Sequence, residues 1–415
     1  MRKTRIFRKT QAPTLFAVIL SMAALLLSGL EGARADDVSV KIGVLTDMKG
    51  LYGDVAGVGS TVAAKMAVED FKAGSKGIKV ELLEADHMNK ADVGSQIARD
   101  WFDQQGVDII VDSPNSTVAF AVSQIAREKN KIFIGSGAGS SDLTGKLCSP
   151  NTIHWTYDTW SVANGAGLAL MASGGDEWYF LTADYAFGVA LERDAMSVVM
   201  AKGGKIKGTS RVPLNVPDFS HFTLQAQDSG AKVIALAMAG GDFSNAVKSA
   251  YEFGVVAGGQ KLAGLLVFIT DVHALSLEVA QGLQFVEAFY WDANEQTRAF
   301  TRRFIAQGRG GYPTMIHAGV YSSVLHYLKA IDAARGDRLD GAKIVAKMKE
   351  IPTDDPVMGK GSIRIDGRKL HDLYLFEVKK PIESKKPWDY YKIIKTIPAA
   401  EAFRPLSLGG CPLAQ

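Results

Sequence analysis

Two short segments concentrate groups that could hold a ligand. Ser113-Pro114-Asn115-Ser116-Thr117 follows the apolar run 109–111, and Gly135-Ser136-Gly137-Ala138-Gly139-Ser140-Ser141 follows the run 132–134. Each run is short, β-branched and apolar, as a buried parallel strand would be. Each loop then lies at the carboxyl end of its strand, where open α/β sheets bind ligands. A helical pattern follows both loops. Hydroxyls and free backbone N–H groups beside helix N-termini favour an anion. The same residues also serve as ordinary helix caps, and the two readings stand side by side at this point.

Other chemistry is missing. The histidines are His87, His154, His221, His273, His317, His326 and His371, and none belongs to an HExxH or other metal-spaced motif. There is no CxxC, no GxSxG elbow and no phosphate-binding Gly-x4-Gly-Lys-Ser/Thr. The run 135–140 lacks the third glycine of a dinucleotide fingerprint at its proper place. Binding without catalysis is expected, with no cofactor and no metal.

The elements that must position these loops read clearly. Residues 1–35 form a leader: Arg2, Lys3, Arg5, Arg8 and Lys9, then an apolar stretch 15–27, then Ala33-Arg34-Ala35 as a cleavage site. An exported product of roughly 380 residues is expected, without stable membrane insertion, and large enough for two lobes. Its net charge is near neutral without the leader, which argues against a nucleic-acid partner. Strand and helix patterns alternate from residue 38 to 135 and again from 178 to 269, as in parallel sheets with crossover helices. Long amphipathic stretches cover 295–307 and 316–335, strand patterns 366–380 and 389–394, and an irregular tail 396–415. The two cysteines, Cys148 and Cys411, both lie in turn sequence. In an oxidising compartment they are expected to be bridged, two buried free thiols being the alternative.

The chain resembles the Leu/Ile/Val-binding protein family, the periplasmic solute-binding proteins of ABC importers. The leader, Gly50-Leu51-Tyr52-Gly53 and Met66-Ala67-Val68-Glu69-Asp70 carry the likeness first. Ser116-Thr117, the loop 135–141, Asp142-Leu143-Thr144, Asp184-Tyr185-Ala186-Phe187-Gly188, Asp218-Phe219-Ser220, Gly282-Leu283 and Met358-Gly359-Lys360-Gly361 extend it over the mature chain. The resemblance implies an α/β fold of the type I periplasmic binding protein class, two doubly wound parallel-sheet lobes with three crossover hinge segments. It places lobe I at 38–157 plus 288–366 and lobe II at 158–287 plus 367–395. It also implies a periplasmic monomer, cleaved after Ala35, that hands a small carboxylated ligand to permease subunits.

Carried over by resemblance, the family's carboxylate-binding serine falls on Ser116, with Asn115 beside it. Its small-residue loop falls on Gly137, Ala138 and Gly139, with Gly139 where the family has Thr or Ser. Ser136, Ser140 and Ser141 are neighbours that could replace that hydroxyl. The second-lobe aromatic falls on Phe187, with Tyr185 placed to supply the ring, and the further family aromatic falls near Ala239. Tyr52 and Trp160 complete the expected ligand set. The acid that pairs a ligand ammonium is assigned to Asp271, which could instead cap a helix. These departures allow an aromatic carboxylate as well as an aliphatic amino acid. An exported sensory domain and a hydrolase with an unrecognised site are the competing functions.

Overall fold

The apolar runs become the buried strands of two separate sheets. In the computed structural model, which describes residues 1, 4–6, 38–307, 311–334 and 338–414, β1 (Val38–Thr46), β2 (Ile78–Asp86), β3 (Ile109–Asp112), β4 (Ile132–Gly135) and β5 (Thr152–His154) form the first sheet. Its order is β2-β1-β3-β4-β5, and β1 pairs with β3, β3 with β4 and β4 with β5 in parallel. The second sheet takes β6 (Glu177–Ala183), β7 (Lys205–Val212), β8 (Val233–Ala237) and β9 (Lys261–Gly264) in the order β7-β6-β8-β9, again parallel. Strands β3, β4 and β8 are buried along their whole length. That burial is why they read as continuous apolar runs and not as alternating ones.

Two small antiparallel sheets complete the fold. One joins β10 (Gln284–Glu287), β14 (Leu373–Val378) and β15 (Tyr391–Ile397). The other joins β11 (Thr353–Asp355), β12 (Gly359–Ile363) and β13 (Lys369–Leu370). The chain passes between the halves after β5, after β10 and between β13 and β14. These crossings are tied together: Arg368 Nη1 donates to Tyr157 O at 2.8 Å, and His371 Nε2 donates to Thr156 O at 2.9 Å. This is the type I periplasmic binding protein architecture, two α/β lobes joined by three crossovers.

Some elements differ from the sequence reading. The run 262–269, read as one strand, stops at Gly264, and a helix Ile269–Leu275 begins where the strand was expected to end. The helix Gly341–Glu350 was not anticipated, although Asp340 caps it and Ile344, Val345 and Met348 give it a buried face. The tail after Pro398 holds short helical turns and is anchored by a Cys148–Cys411 disulfide, Cα–Cα 5.6 Å. The leader's apolar stretch 15–27 and cleavage site 33–35 lie outside the described residues. Among the described residues no helix is long and apolar enough to cross a membrane.

One aromatic stack spans the halves. Trp388, in the connection between β14 and β15, lies 4.0 Å from His273 of the helix Ile269–Leu275 and 4.8 Å from Tyr312, both nearly parallel to it. Tyr312 leads into the helix Met315–Ala334, which packs on Gly57–Phe71 of the first half. The Trp388 carbonyl accepts from Trp291 Nε1 at 2.8 Å, just beyond the second crossing.

Candidate functional site

Both hydroxyl-rich loops emerge at the carboxyl ends of β3 and β4, facing the second half. Asp112 and Ser113 end β3 with φ of 84° and 57°. Two consecutive non-glycine residues in left-handed conformation are costly and turn the chain sharply. The helix Ser116–Glu128 then starts, and its cap is Asn115, whose side chain accepts from Thr117 N and Val118 N at 2.9 and 3.2 Å. Ser116 is therefore free of capping duty. Its Oγ accepts from Gly139 N at 3.3 Å and Ser140 N at 3.1 Å, stitching the two loops together and leaving its O–H hydrogen to offer.

The remaining loop hydroxyls have other partners. Ser136 Oγ pairs with Ser323 Oγ at 3.2 Å inside the first half. Ser140 caps the turn Ser141–Thr144, and Ser141 donates to Asp194 at 2.7 Å. The Ala138 carbonyl accepts from His154 Nε2 at 2.6 Å, and that of Gly137 from Tyr157 OH at 2.8 Å. Burial holds the His154 imidazole well below its ordinary pKa, so the ring stays neutral.

The departure at Gly139 has a structural reason. A Cβ there would stand 2.6 Å from the Phe187 ring and 3.3 Å from Tyr157. Phe187, at the start of the second-half helix Ala186–Ala201, takes the space that a threonine side chain would need.

A nearly closed space of only about 10 Å³ results, lined by Tyr52, Tyr157, Tyr185, Phe187 and Phe268, with Val55, Pro114, Gly137, Ala239, Leu266 and Ile316 between them. Tyr52 and Tyr185 hydrogen-bond through their hydroxyls across the cleft. Burial raises the pKa of both phenols, so both are protonated at neutral pH. The halves are also joined by Arg193, which pairs with Asp142 at 3.0 Å. No lysine, arginine or histidine is among the lining residues. Sequence reasoning missed Tyr157 and Phe268. Tyr157 stood in an aromatic connector, and Phe268 was hidden in what read as a strand.

Seven expected residues do not line this space: Asn115, Ser116, Ser136, Ala138 and Gly139 of the two loops, and Trp160 and Asp271. Trp160 is half-buried in the first turn of the helix Thr159–Ala172. Asp271 is buried in the first turn of its helix, where its carboxylate accepts from Phe268 N at 2.9 Å. Burial pushes this acid up to about 8. A carboxyl with a raised folded pKa favours the fold fully below its unfolded value of about 4 and loses that advantage as pH rises towards 8. Asp271→Asn keeps an acceptor for Phe268 N–H and carries no charge. It is expected to raise the melting temperature above pH 8 and to change it little near pH 4. Equal shifts at the two pH values would show that the acid is not neutral in the fold.

The comparisons agree with this geometry. Residues 39–386 match the model of a family described as periplasmic binding protein. The crystal structure of a periplasmic binding protein from Burkholderia mallei is 48% identical, covers 90% of this chain and 99% of its own, and superposes with a TM-score of 0.87. A branched chain amino acid ABC transporter periplasmic ligand-binding protein from Burkholderia xenovorans LB400 is 38% identical over 91% of this chain and 100% of its own, TM-score 0.80. Leu/Ile/Val-binding protein homolog 6 of Brucella abortus is 24% identical over 376 residues, 87% of this chain and 93% of the relative. With its two parallel sheets, three crossings and loops meeting across a cleft, the chain belongs to the periplasmic binding protein family, among the Leu/Ile/Val-binding proteins of ABC transporters.

Proposed function

We propose that the protein captures a small carboxylated solute with a flat apolar body, closes its two lobes over it, and delivers it to the permease of an ABC importer. The observation that carries this reading is the cluster of five aromatic rings, contributed by both halves, two of which, Phe187 and Tyr157, lie against Gly139, whose N–H meets the Ser116 hydroxyl. Such rings bury a large apolar area and stack on a flat ligand. An aliphatic amino acid would also need a partner for its ammonium, and Asp271 is occupied as a helix cap. An aromatic carboxylate needs only an anion site. By this reading the lobes divide near Tyr157, Glu287 and Asp366, and closure is a hinge motion about the three crossings.

Calorimetry with benzoate and leucine tests the ligand class, benzoate being expected to bind the more tightly. Binding of neither would overturn the reading. Ser116→Ala is expected to weaken benzoate by about 1.5–3 kcal/mol through loss of a hydrogen bond to a charged group. The same change should lower the melting temperature, because Gly139 N–H and Ser140 N–H lose their acceptor. A lowered melting temperature with unaltered affinity would make Ser116 a purely structural residue.

A further inference from the structure

A buried acid lies directly against the loop that follows β4. Asp112, the last residue of β3, has no exposed surface. A Cβ added at Gly137 would stand 2.5 Å from Asp112 Oδ1, so the carboxyl group is packed on the Gly137 backbone. Gly137 lines the space between the lobes, and Asp112 does not. Asp112 also holds the left-handed φ of 84°. A non-glycine residue keeps such a backbone only where its surroundings impose it, and functional sites are where this occurs.

This acid lacks the partners that a buried charge needs. Among the described residues no backbone N–H and no cation donates to its oxygens, and only the buried hydroxyls of Ser60 and Thr46 face them. The surrounding elements bring no cation either. Asp47, after β1, accepts from Gly50 N at 2.7 Å and Tyr52 N at 2.8 Å. Burial holds His87, after β2, and His317, on the long helix Met315–Ala334, down at about 4, and His154 of β5 well below its ordinary value. All three rings are therefore neutral near pH 7. Tyr157, whose OH donates to Gly137 O, is a protonated phenol. Neither β4 nor the first turns of the helices Ser116–Glu128 and Gly57–Phe71 carry a titratable side chain. Burial thus dominates at Asp112 and pushes it up to about 6, against the pull of the two hydroxyls.

We infer that the solute carboxylate and Asp112 share one proton across the Gly137 backbone, so that capture of an anionic solute is coupled to protonation of Asp112. This rests on the carboxylate reading above and deepens it. Two carboxylates close together in a dry site, with no cation between them, do not both stay ionised. The proton comes from solvent and resides on Asp112 as an O–H, which the Ser60 or Thr46 hydroxyl accepts. The bound solute therefore raises the pKa of Asp112, and binding is weakened wherever the free protein must first take up that proton. Affinity is full below about pH 6, falls as pH rises through the value of the free acid, and levels off above the raised one.

Calorimetry with benzoate near pH 5.5 and pH 8, in buffers of different ionisation enthalpy, provides the test. The wild type is expected to lose about tenfold or more in affinity between the two, as a pKa raised by a unit or more requires. Up to one proton should be taken up per solute bound near pH 7. Asp112→Asn keeps the shape, tolerates the left-handed backbone and cannot ionise, so its affinity should be equal at both pH values, without proton uptake. Ser60→Ala removes a group that favours the ionised acid and should move the fall in affinity to higher pH, which decides the matter even if Asp112→Asn does not fold. A wild-type affinity independent of pH, or a midpoint unmoved in Ser60→Ala, would overturn the inference while the carboxylate reading stands. So would a pH dependence that survives in Asp112→Asn, which would belong to Asp242 or Asp271 of the other half, both of which burial raises into this range. Failure of benzoate to bind at either pH would overturn the two together.

Discussion

Threonine in place of Gly139 is expected to weaken solute capture by tenfold or more, while leaving the fold of each lobe intact. The new Cβ would stand 2.6 Å from the Phe187 ring. That ring belongs to the opposite lobe, so the clash is present when the lobes are together and relieved when they part. Overpacking of this kind costs about 1–3 kcal/mol. By the population-shift argument the cost falls on the closed state alone and appears as lost affinity. Gly139 is not in a left-handed conformation, so the backbone itself accepts threonine. Phe187→Ala, added to Gly139→Thr, removes the obstructing ring. A double-mutant cycle measured by calorimetry is therefore expected to show strong coupling between the two positions. Additive losses would mean that Gly139 and Phe187 act independently, and the steric account of this family departure would fall.

Loss of the Cys148–Cys411 bridge is the second large effect. The bridge closes a loop of 263 residues. The chain-entropy model gives such a closure about 5 kcal/mol, before any native strain. The tail it holds is also packed. Ala402 and Phe403 are buried, Arg368 lies over the Phe403 ring at 4.8 Å, and Arg404 Nη2 donates to Ser141 O at 3.0 Å. A Cβ at Gly145 would meet Arg404 Nη2 at 2.7 Å and Gly409 O at 2.8 Å. The tail therefore braces the far side of the loop that carries Gly137 and Gly139. Cys148→Ser with Cys411→Ser is expected to lower the melting temperature by roughly 10 °C or more, with a smaller loss of affinity as the loop loosens. Reduction of the wild type should reproduce the shift. An unchanged melting curve would mean that packing alone secures the tail.

The parts of this molecule that follow from local pattern were legible in the sequence. Residues 109–111 and 132–134 had to be buried strands because nothing in them could face water, and their loops had to lie at the sheet edge. The matching repeat of strand and helix from 178 onward gave the second sheet in the same way. What escaped was decided by contacts between distant residues. Ser136 looked like a ligand group and instead meets Ser323. Asp271 sits in a helix because the run 262–269 breaks after Gly264, and apolar residues alone do not mark where a strand ends. Gly139 leaves room for Phe187, 48 positions away, a relation no local reading supplies.

The stack of Tyr312, Trp388 and His273 also provides an optical signal. An indole held face to face between two rings, one anchored in each lobe, changes its electronic surroundings when the lobes separate. By the division proposed above, the indole and His273 share one lobe and Tyr312 lies in the other, so it is the Tyr312 contact that lobe motion alters. Emission from Trp388 should therefore follow lobe motion without any attached dye, on the timescale of the motion itself. The same protein that captures the solute would then report each capture as light.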